Sequence, residues 1–377
     1  MQLIWKARFF DITGYSTVAR GCVLALDRMG ANIKIIQVGK GTPLKIPPEA
    51  RERISRMTLR PFERPSDTVF IRHGFPDHFE KHGAFSMGMS VWEANTIHPR
   101  WRDWCNKMDA IAVPSRMNVE AFSAGGVHKP VELVRYGVEE DFLKPGEYRD
   151  IFSGRDYPLF KFLSVFDWIY RKGYDILVRA FWEEFSRNDG VCLMIKTGFG
   201  RPFMGARENI LADMNRLKDL YRPRKNAAPV YFFTGDAQPA NMVNLYRSCD
   251  CFVLPSRGEG AGLPLLEAGS LGTPVIATGW GGQTDFLDED NSFLVEYDMV
   301  PVPIQRHCPY YQPDQNWAQP RVEDLRKKMR WVLENRSESL KKGRALRDIV
   351  TGHYTWDNAA MDIADAVSRL AGREILS

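Results

Sequence analysis

Long apolar runs are missing from this sequence of 377 residues. No stretch approaches the roughly 18 consecutive apolar residues that a helix needs to span a bilayer. The opening MQLIWKARFF is too short and too polar for a secretory signal. From both absences we expect a cytoplasmic protein rather than a membrane-spanning or secreted one.

Cysteine and histidine motifs are also scarce. The six cysteines are scattered without a CxxC pair, which indicates reduced, buried thiols rather than a disulfide framework. His78 and His82 have the spacing of two metal ligands on a helix, but no third ligand is identifiable beside them. We therefore expect neither a metal ion nor another cofactor.

A modest positive charge, +4 in total, is concentrated in the first part of the chain. Its centre is the segment from Arg51 to Arg64, RERISRMTLRPFER, with five arginines and two glutamates. One explanation is a solvated helix-and-loop face. The other is a contact for an anionic acceptor or for the inner face of a membrane, which would hold the protein there peripherally. No nucleic-acid-binding module is readable around this segment, so we expect no nucleic acid partner.

Strand and helix signals alternate along most of the chain. The apolar runs are short and lack strict alternation, as expected of parallel strands covered on both faces. A polar, turn-rich stretch at 137–157 predicts a linker between two α/β domains, 1–143 and 144–356. Residues 299–319 are rich in proline and predict a long, irregular surface insertion. Its aromatic side chains would form its own core or a platform for a sugar, namely Tyr310, Tyr311 and Trp317.

The most informative stretch is 249–282, which reads as strand, glycine loop, helix and strand. Cys251–Leu254 has the length and character of a buried strand, and the loop GEGAG (258–262) follows. Pro264 suits the first turn of a helix, and Gly272 suits its end. Because glycines let backbone N–H groups approach an anion at a helix N-terminus, this order predicts a phosphate site.

Two carboxylates frame the glycine loop. Glu259 lies within it, and Glu267 lies on the helix with seven residues between them. A helical rise predicts a separation of roughly 10–12 Å, too long for the acid/base pair of a glycosidase. The pair suits two contacts along one elongated ligand. A generic α/β domain with a dipole-favoured glutamate is the alternative, whereas a dinucleotide fingerprint would need glycine at Leu263.

The same stretch resembles the donor-site signature of the family 4 retaining glycosyltransferases. The matching positions are Ser256, Glu259-Gly260, Gly262-Leu263, Leu266-Glu267-Ala268, Gly272, Pro274-Val275-Ile276-Ala277 and Gly281-Gly282. The resemblance implies the GT-B fold, in which two Rossmann-like, doubly wound domains face each other across a cleft. It also implies that the closing helix, within 357–377, packs back onto the first domain.

The resemblance further implies roles for the residues of the loop and helix. Glu267 would hold the ribose hydroxyls of a nucleotide-sugar donor. Glu259 would face the transferred sugar and the diphosphate, together with the backbone amides of Gly260, Ala261, Gly262 and Leu263.

Lys172 stands where this family places a lysine against the donor diphosphate. An ammonium group there neutralises charge as the nucleotide departs. The family usually carries an arginine five residues earlier, but this chain has Asp167. Arg171 could supply the missing charge, and we expect Asp167 to turn away or to pair with a cation. A surface lysine at a turn is the alternative.

Other site residues are implied at the ends of predicted strands. The loop at Gly14 would approach the phosphates from the first domain, and Gly235 begins the segment that would hold the nucleobase. Glu93 stands near a position where many relatives have a histidine, so we expect it to accept hydrogen bonds from the sugar or the acceptor. His73 and His98 are interpreted as polar loop histidines.

The predicted function is therefore sugar transfer from a UDP- or GDP-sugar to a glycan, a lipid-linked acceptor or another hydroxyl. We expect Glu259, Lys172 and Glu93 to act on the reacting groups. The alternatives are a nucleotide-sugar epimerase of the same fold and a non-catalytic nucleotide-sugar or glycan binder. A binder would melt at a higher temperature with nucleotide yet release no sugar.

Overall fold

Two six-stranded sheets form the framework of the protein. The computed structural model describes residues 1–11, 13–39, 46–144, 146–154, 156–197, 207–234, 239–304 and 308–376. In both sheets, neighbouring strands run parallel. This arrangement confirms the predicted α/β class.

The first sheet is built from the first 133 residues. Its strands are β1 (Gln2–Ala7), β2 (Asn32–Gln37), β3 (Thr68–His73), β4 (Phe85–Met89), β5 (Ala110–Val113) and β6 (Val131–Leu133). They lie in the order β2-β1-β3-β4-β5-β6. The helices of this half are α1 (Gly14–Arg28), α2 (Pro48–Leu59), α3 (Pro99–Cys105), α4 (Arg116–Ala124) and α5 (Glu140–Leu143).

The second sheet repeats the pattern. Its strands are β7 (Phe160–Val165), β8 (Val191–Thr197), β9 (Val230–Thr234), β10 (Cys251–Leu254), β11 (Val275–Thr278) and β12 (Phe293–Val295). They lie in the order β12-β11-β10-β7-β8-β9. The helices are α6 (Tyr174–Glu184), α7 (Arg207–Tyr221), α8 (Pro239–Arg247), α9 (Leu263–Ser270), α10 (Val322–Glu334) and α11 (Arg336–His353).

Burial explains why these apolar runs become strands. Every residue of β3, β4, β5, β10 and β11 is buried, so layers on both faces must cover them. Parallel strands of this kind read as continuous apolar runs rather than as alternating ones. The carboxyl ends of the strands then become the edges where a ligand is expected.

The last helix, α12 (Trp356–Ala371), returns to the first half. Its apolar face lies in one buried cluster with side chains of β1 and α1. Trp356 lies over Gly21 of α1, where an added Cβ would be 2.2 Å from the indole ring. Arg135 and Asp362 form a two-pronged ion pair beside it, with Nη2 and Oδ1 2.7 Å apart. The core of the first half is therefore completed from the far end of the chain.

The chain passes between the halves twice, and the two crossings lie side by side. Val138 pairs with Thr355 in a parallel bridge, and the Val138 amide donates to the Tyr354 carbonyl at 3.1 Å. The boundary placed between residues 143 and 144 stays a prediction.

The proline-rich segment is irregular only in part: residues 302–304 and 308–315 have neither helix nor strand, but its two ends pair, which the sequence did not predict. It contains an antiparallel hairpin of β13 (Tyr297–Pro301) and β14 (Asn316–Pro320), and we call residues 297–320 the arm. Trp317 and Tyr311 of the arm are buried against Trp92 and Trp101 of the first half. The arm therefore contacts both halves. Its strands were not predicted from the sequence because proline is atypical of a sheet interior.

The described part of the chain holds no helix long and apolar enough to cross a membrane. The six cysteines are free; five are buried and Cys308 is half-buried.

Candidate functional site

The glycine loop after β10 lies directly against the first half. A Cβ added at Gly258 would lie 2.0 Å from the carbonyl oxygen of Glu93. One added at Gly260 would lie 1.9 Å from a methyl group of Val91. These two glycines are therefore required by the close approach of the two halves, which the sequence alone did not indicate.

The helix α9 begins at this junction. Gly262 precedes it in the left-handed region, with φ of +79°, a conformation that favours glycine. Ala261 and Leu263 pack against the core of the first half. A Cβ added at Gly14 would lie 3.6 Å from a methyl group of Leu263. The structure thus brings the predicted loop of the first half to the predicted phosphate site of the second.

Glu259 is buried between two cations. Its Oε1 lies 2.6 Å from Nζ of Lys172 and 3.6 Å from Nη1 of Arg171. Burial raises the pKa of Glu259, but Lys172 and then Arg171 lower it by more, so it falls below its ordinary value. Glu259 is consequently ionised at neutral pH, with both oxygens available to accept hydrogen bonds.

Arg171 also joins Glu93 to this cluster. Its Nη2 lies 3.2 Å from Oε1 of Glu93, and its Nη1 donates to the Gly258 carbonyl. The hydroxyl of Tyr311 donates to Oε2 of Glu93 at 3.1 Å. Two carboxylates and two cations therefore balance each other where the two halves meet.

The charged neighbours of Arg171 raise its pKa. Burial alone would lower it, but the carboxylates of Glu93, Glu259 and Asp167 outweigh that effect. Asp167 lies near enough to contribute to this effect, but the structure shows no ion pair between its carboxylate and a described cation. The expectation that Asp167 turns away or pairs with a cation therefore stays a prediction. Arg171 stays protonated throughout the physiological range.

Glu267 stands apart from that cluster, on α9. Its Oε2 accepts a hydrogen bond of 2.7 Å from the hydroxyl of Tyr246. Burial raises the pKa of Glu267 to about 7, partly offset by Tyr246, and Glu139 raises it further. Ionising a buried carboxyl group that has no cation close to it destabilises the folded protein. Such strongly shifted pKa values are typical of functional sites.

A network around Asp11 shapes the first-half loop. The carboxylate accepts from the hydroxyls of Thr13 and Ser16 and from Nε of Arg8. Burial raises the pKa of Asp11, but these bonds lower it to about 2. Arg20 donates from α1 to the carbonyls of Phe9 and Asp11. The described residues just before Gly14 are therefore held by hydrogen bonds.

Two expectations need correction or lie outside the described residues. His73 is not a loop histidine: it ends β3, is 2 % exposed, and neither ring nitrogen has a hydrogen-bond partner among the described residues. Burial and then Arg72 lower the pKa of His73 to about 3. Gly235 falls outside the described residues, so the predicted base site stays a prediction.

Arg257 is an important residue that the sequence did not reveal. It is 1 % exposed, forms a two-pronged pair with Asp175, and its guanidinium lies 3.6 Å from the ring centroid of Tyr170. Its Nε donates to Gln319 of the arm at 2.8 Å. Arg257 therefore fixes the glycine loop, the turn before α6 and the arm together. Its only sequence signal is an arginine inside an otherwise apolar, glycine-rich stretch.

Metal ligation finds no support in the described ranges, where no three His, Cys, Asp or Glu side chains converge in a way that could hold an ion. The expectation that no cofactor is needed stays a prediction.

Comparison with known proteins finds a family model that matches most of the second half. Residues 158–302 match the profile of the family described as "Glycosyl transferases group 1". A D-inositol 3-phosphate glycosyltransferase of Rhodococcus erythropolis is 35% identical over 141 residues, which are 37% of this chain and 28% of that protein. A GDP-mannose-dependent alpha-(1-6)-phosphatidylinositol monomannoside mannosyltransferase of Mycobacterium tuberculosis is 26% identical over 255 residues, 64% of this chain and 57% of that protein. The matched region thus spans less than two thirds of either relative.

Similarity of fold extends over nearly the whole chain. The crystal structure of Anabaena HepE in complex with UDP and glucose superposes with a TM-score of 0.67 at 12% sequence identity, covering 98% of this chain and 100% of HepE. This likeness confirms the predicted fold. The chain therefore has the GT-B fold and carries a glycosyl transferases group 1 domain at residues 158–302.

Proposed function

We propose that the protein is a retaining glycosyltransferase that moves a sugar from a UDP- or GDP-sugar to a hydroxyl group of a glycan or a lipid-linked acceptor. The observation that carries the proposal is the convergence of Lys172, Arg171 and Glu259 beside the start of α9. HepE has been crystallised with UDP-glucose, and the Mycobacterium relative is named as GDP-mannose-dependent. Both support a nucleotide-sugar donor.

The diphosphate would lie at the N-terminus of α9, where the helix dipole and the backbone amides of the glycine loop favour negative charge. Lys172 and Arg171 now face carboxylates. On donor binding, the two side chains would reorient in part from these carboxylates toward the phosphate oxygens. Glu259 would then accept hydrogen bonds from hydroxyls of the transferred sugar, because its low pKa keeps it ionised.

The transfer itself would follow a front-face route. The acceptor oxygen bonds to the anomeric carbon on the face from which the phosphate departs, so the configuration is retained. The carbon–phosphate-oxygen bond breaks, and its electron pair stays on the phosphate oxygen, which takes the acceptor's proton. The chain's contribution is mainly to stabilise the negative charge that develops on that oxygen, through Lys172 and Arg171. We propose no metal ion in this scheme.

Glu267 would bind the ribose hydroxyls of the donor. In the free protein its carboxylate accepts one bond, from Tyr246, and burial holds its pKa near 7. Two ribose hydroxyls donating to it would stabilise the ionised form. Ribose binding would thus offset the unfavourable burial of the ionised Glu267 side chain.

The acceptor would approach from the first half. We propose that the basic segment of this half, from Arg51 to Arg64, contacts a membrane. Arg53 and Arg60 of that segment pair with Asp27 and serve the fold. Three arginines stay exposed, at positions 51, 56 and 64, beside the exposed apolar side chains of Leu59 (82 %) and Phe62 (61 %). Cations around exposed apolar side chains suit a peripheral contact with an anionic membrane surface.

The decisive experiment is nucleotide binding followed by product analysis. We expect UDP or GDP, but not ADP or dTDP, to raise the melting temperature of the protein. The matching sugar nucleotide should then release its sugar, and NMR should show a product anomer of unchanged configuration. No shift with any of the four nucleotides would contradict the proposal. A shift without sugar release would indicate a binder, and an epimerised sugar nucleotide would indicate an epimerase.

A further inference from the structure

The arm places two neighbouring tyrosines on carboxylates of the first half. The hydroxyl of Tyr310 donates to Oδ2 of Asp77 at 2.7 Å, and that of Tyr311 donates to Oε2 of Glu93 at 3.1 Å. The ring of Tyr311 is buried against Trp92, with centroids 4.6 Å apart. Burial and then Glu93 raise the pKa of Tyr311 well above its ordinary value, so its hydroxyl keeps the proton it donates.

Arg171 also contacts Glu93, and it divides its guanidinium between Glu93 and the glycine loop. Its Nη2 faces Glu93 while its Nη1 faces Glu259 and the Gly258 carbonyl. A diphosphate at the start of α9 would compete with both carboxylates for this cation. Once Arg171 turns toward the phosphates, the contact of Glu93 with Tyr311 is the one that donor binding does not disturb.

We propose that Tyr311 is a positioning residue, which holds Glu93 in its orientation at the reaction centre while the donor draws Arg171 away. The proposal rests on the proposed function, since it needs a diphosphate donor beside Arg171. Glu93, kept in place by the arm, accepts a hydrogen bond from an acceptor hydroxyl beside the attacking one, or from the second O–H of water during hydrolysis. It thereby aligns the attacking oxygen, whose remaining proton passes to the phosphate oxygen. The arm is thereby part of the active centre, because Tyr311 orients the acceptor through Glu93.

The test compares Tyr311→Phe with Tyr310→Phe. Both changes remove one hydroxyl bound to a first-half carboxylate and keep the packed ring. The assay is hydrolysis of UDP-glucose and of GDP-mannose, in which water takes the acceptor's place. We expect Tyr311→Phe to lower kcat about tenfold or more, as for a lost hydrogen bond to a charged group, with the donor KM little changed. Tyr310→Phe should keep the wild-type kcat, and both variants should melt near the wild-type temperature.

A double-mutant cycle decides whether Tyr311 acts through Glu93. In a Glu93→Gln background, we expect Tyr311→Phe to lower the residual kcat little further, because the two changes affect one interaction. An equal loss in Tyr310→Phe, a full additional loss in the Glu93→Gln background, or unfolding of Tyr311→Phe would show a structural role and overturn the proposal. Wild-type rates in Tyr311→Phe would also overturn it. If the wild-type protein hydrolysed neither nucleotide sugar, the proposed function would fail first.

Discussion

Individual carboxylates in this protein have opposite protonation behaviour, although they lie on one loop and the helix that follows it. Glu259 has two cations within 4 Å and a lowered pKa, whereas Glu267 has a tyrosine hydroxyl and a pKa of about 7. The first is stabilised in its ionised form before any ligand arrives. The second is stabilised only when further donors reach it, which we attribute to the ribose.

This difference predicts a trade-off for Glu267→Gln. A carboxyl group whose pKa is raised from 4.5 to about 7 binds its proton more tightly in the folded protein than in the unfolded chain. Its contribution to stability therefore falls as the pH rises from about 4.5 to 7 and stays low above that. Glutamine cannot ionise, so the variant should melt a few degrees higher at about pH 8 and equally at about pH 4.5, as calorimetry would show.

The same variant should bind nucleotide more weakly. Loss of charged hydrogen bonds to the ribose should cost about tenfold to hundredfold in Kd by titration calorimetry at pH 8. Glu289→Gln, at an exposed carboxylate, is the control and should change neither property. Unchanged nucleotide affinity in Glu267→Gln would remove the ribose assignment.

At the scale of the elements, the glycine loop before α9 gives a steric prediction, which a second glycine in the opposite half can control. Gly260→Ala would place a Cβ 1.9 Å from Val91 and 2.9 Å from the Trp92 carbonyl, so the two halves must separate locally. We expect at least a tenfold loss of sugar release and a destabilisation of about 1–3 kcal/mol, as for overpacking.

Gly14→Ala is the matched variant on the opposite side of the junction. Its Cβ would be 3.6 Å from Leu263, an ordinary contact, so the melting temperature should hold. Weaker nucleotide binding at that unchanged melting temperature would support the approach of the Gly14 loop to the phosphates. Equal stability of Gly260→Ala and the wild-type protein would show that the loop is not as constrained as the contacts indicate.

Elements that depend on local pattern were predictable, and those that depend on distant contacts were not. The strand, loop and helix of 249–282 follow from apolar length, glycine and proline, and the structure has them as β10, α9 and β11. The arm escaped prediction because its aromatic side chains are buried by the other half of the chain. Arg257 and His73 were missed for the same reason, since a polar residue type does not reveal that tertiary contacts bury it.

At the scale of the whole molecule, the exposed cations of the basic segment predict membrane association. Replacing Arg51, Arg56 and Arg64 together by glutamine should weaken binding to phosphatidylserine vesicles roughly a hundredfold, at about 1 kcal/mol for each charge. Sedimentation with vesicles at low and high salt would measure this, and salt should weaken the wild-type binding. The control replaces three exposed cations of α11, Lys341, Arg344 and Arg347. Equal losses in both triple variants would show nonspecific attraction.

The return of α12 to the first half has a consequence for biosynthesis. As the chain leaves the ribosome, β1 and α1 emerge well before α12, so the apolar face that Trp356 and Ile363 cover stays open until translation reaches α12. The second half, whose sheet is complete at Val295, can collapse around its own core before that. Of the two halves, the one synthesised earlier thus completes its core later. A nascent chain stalled ahead of α12 should expose an apolar surface that binds chaperones.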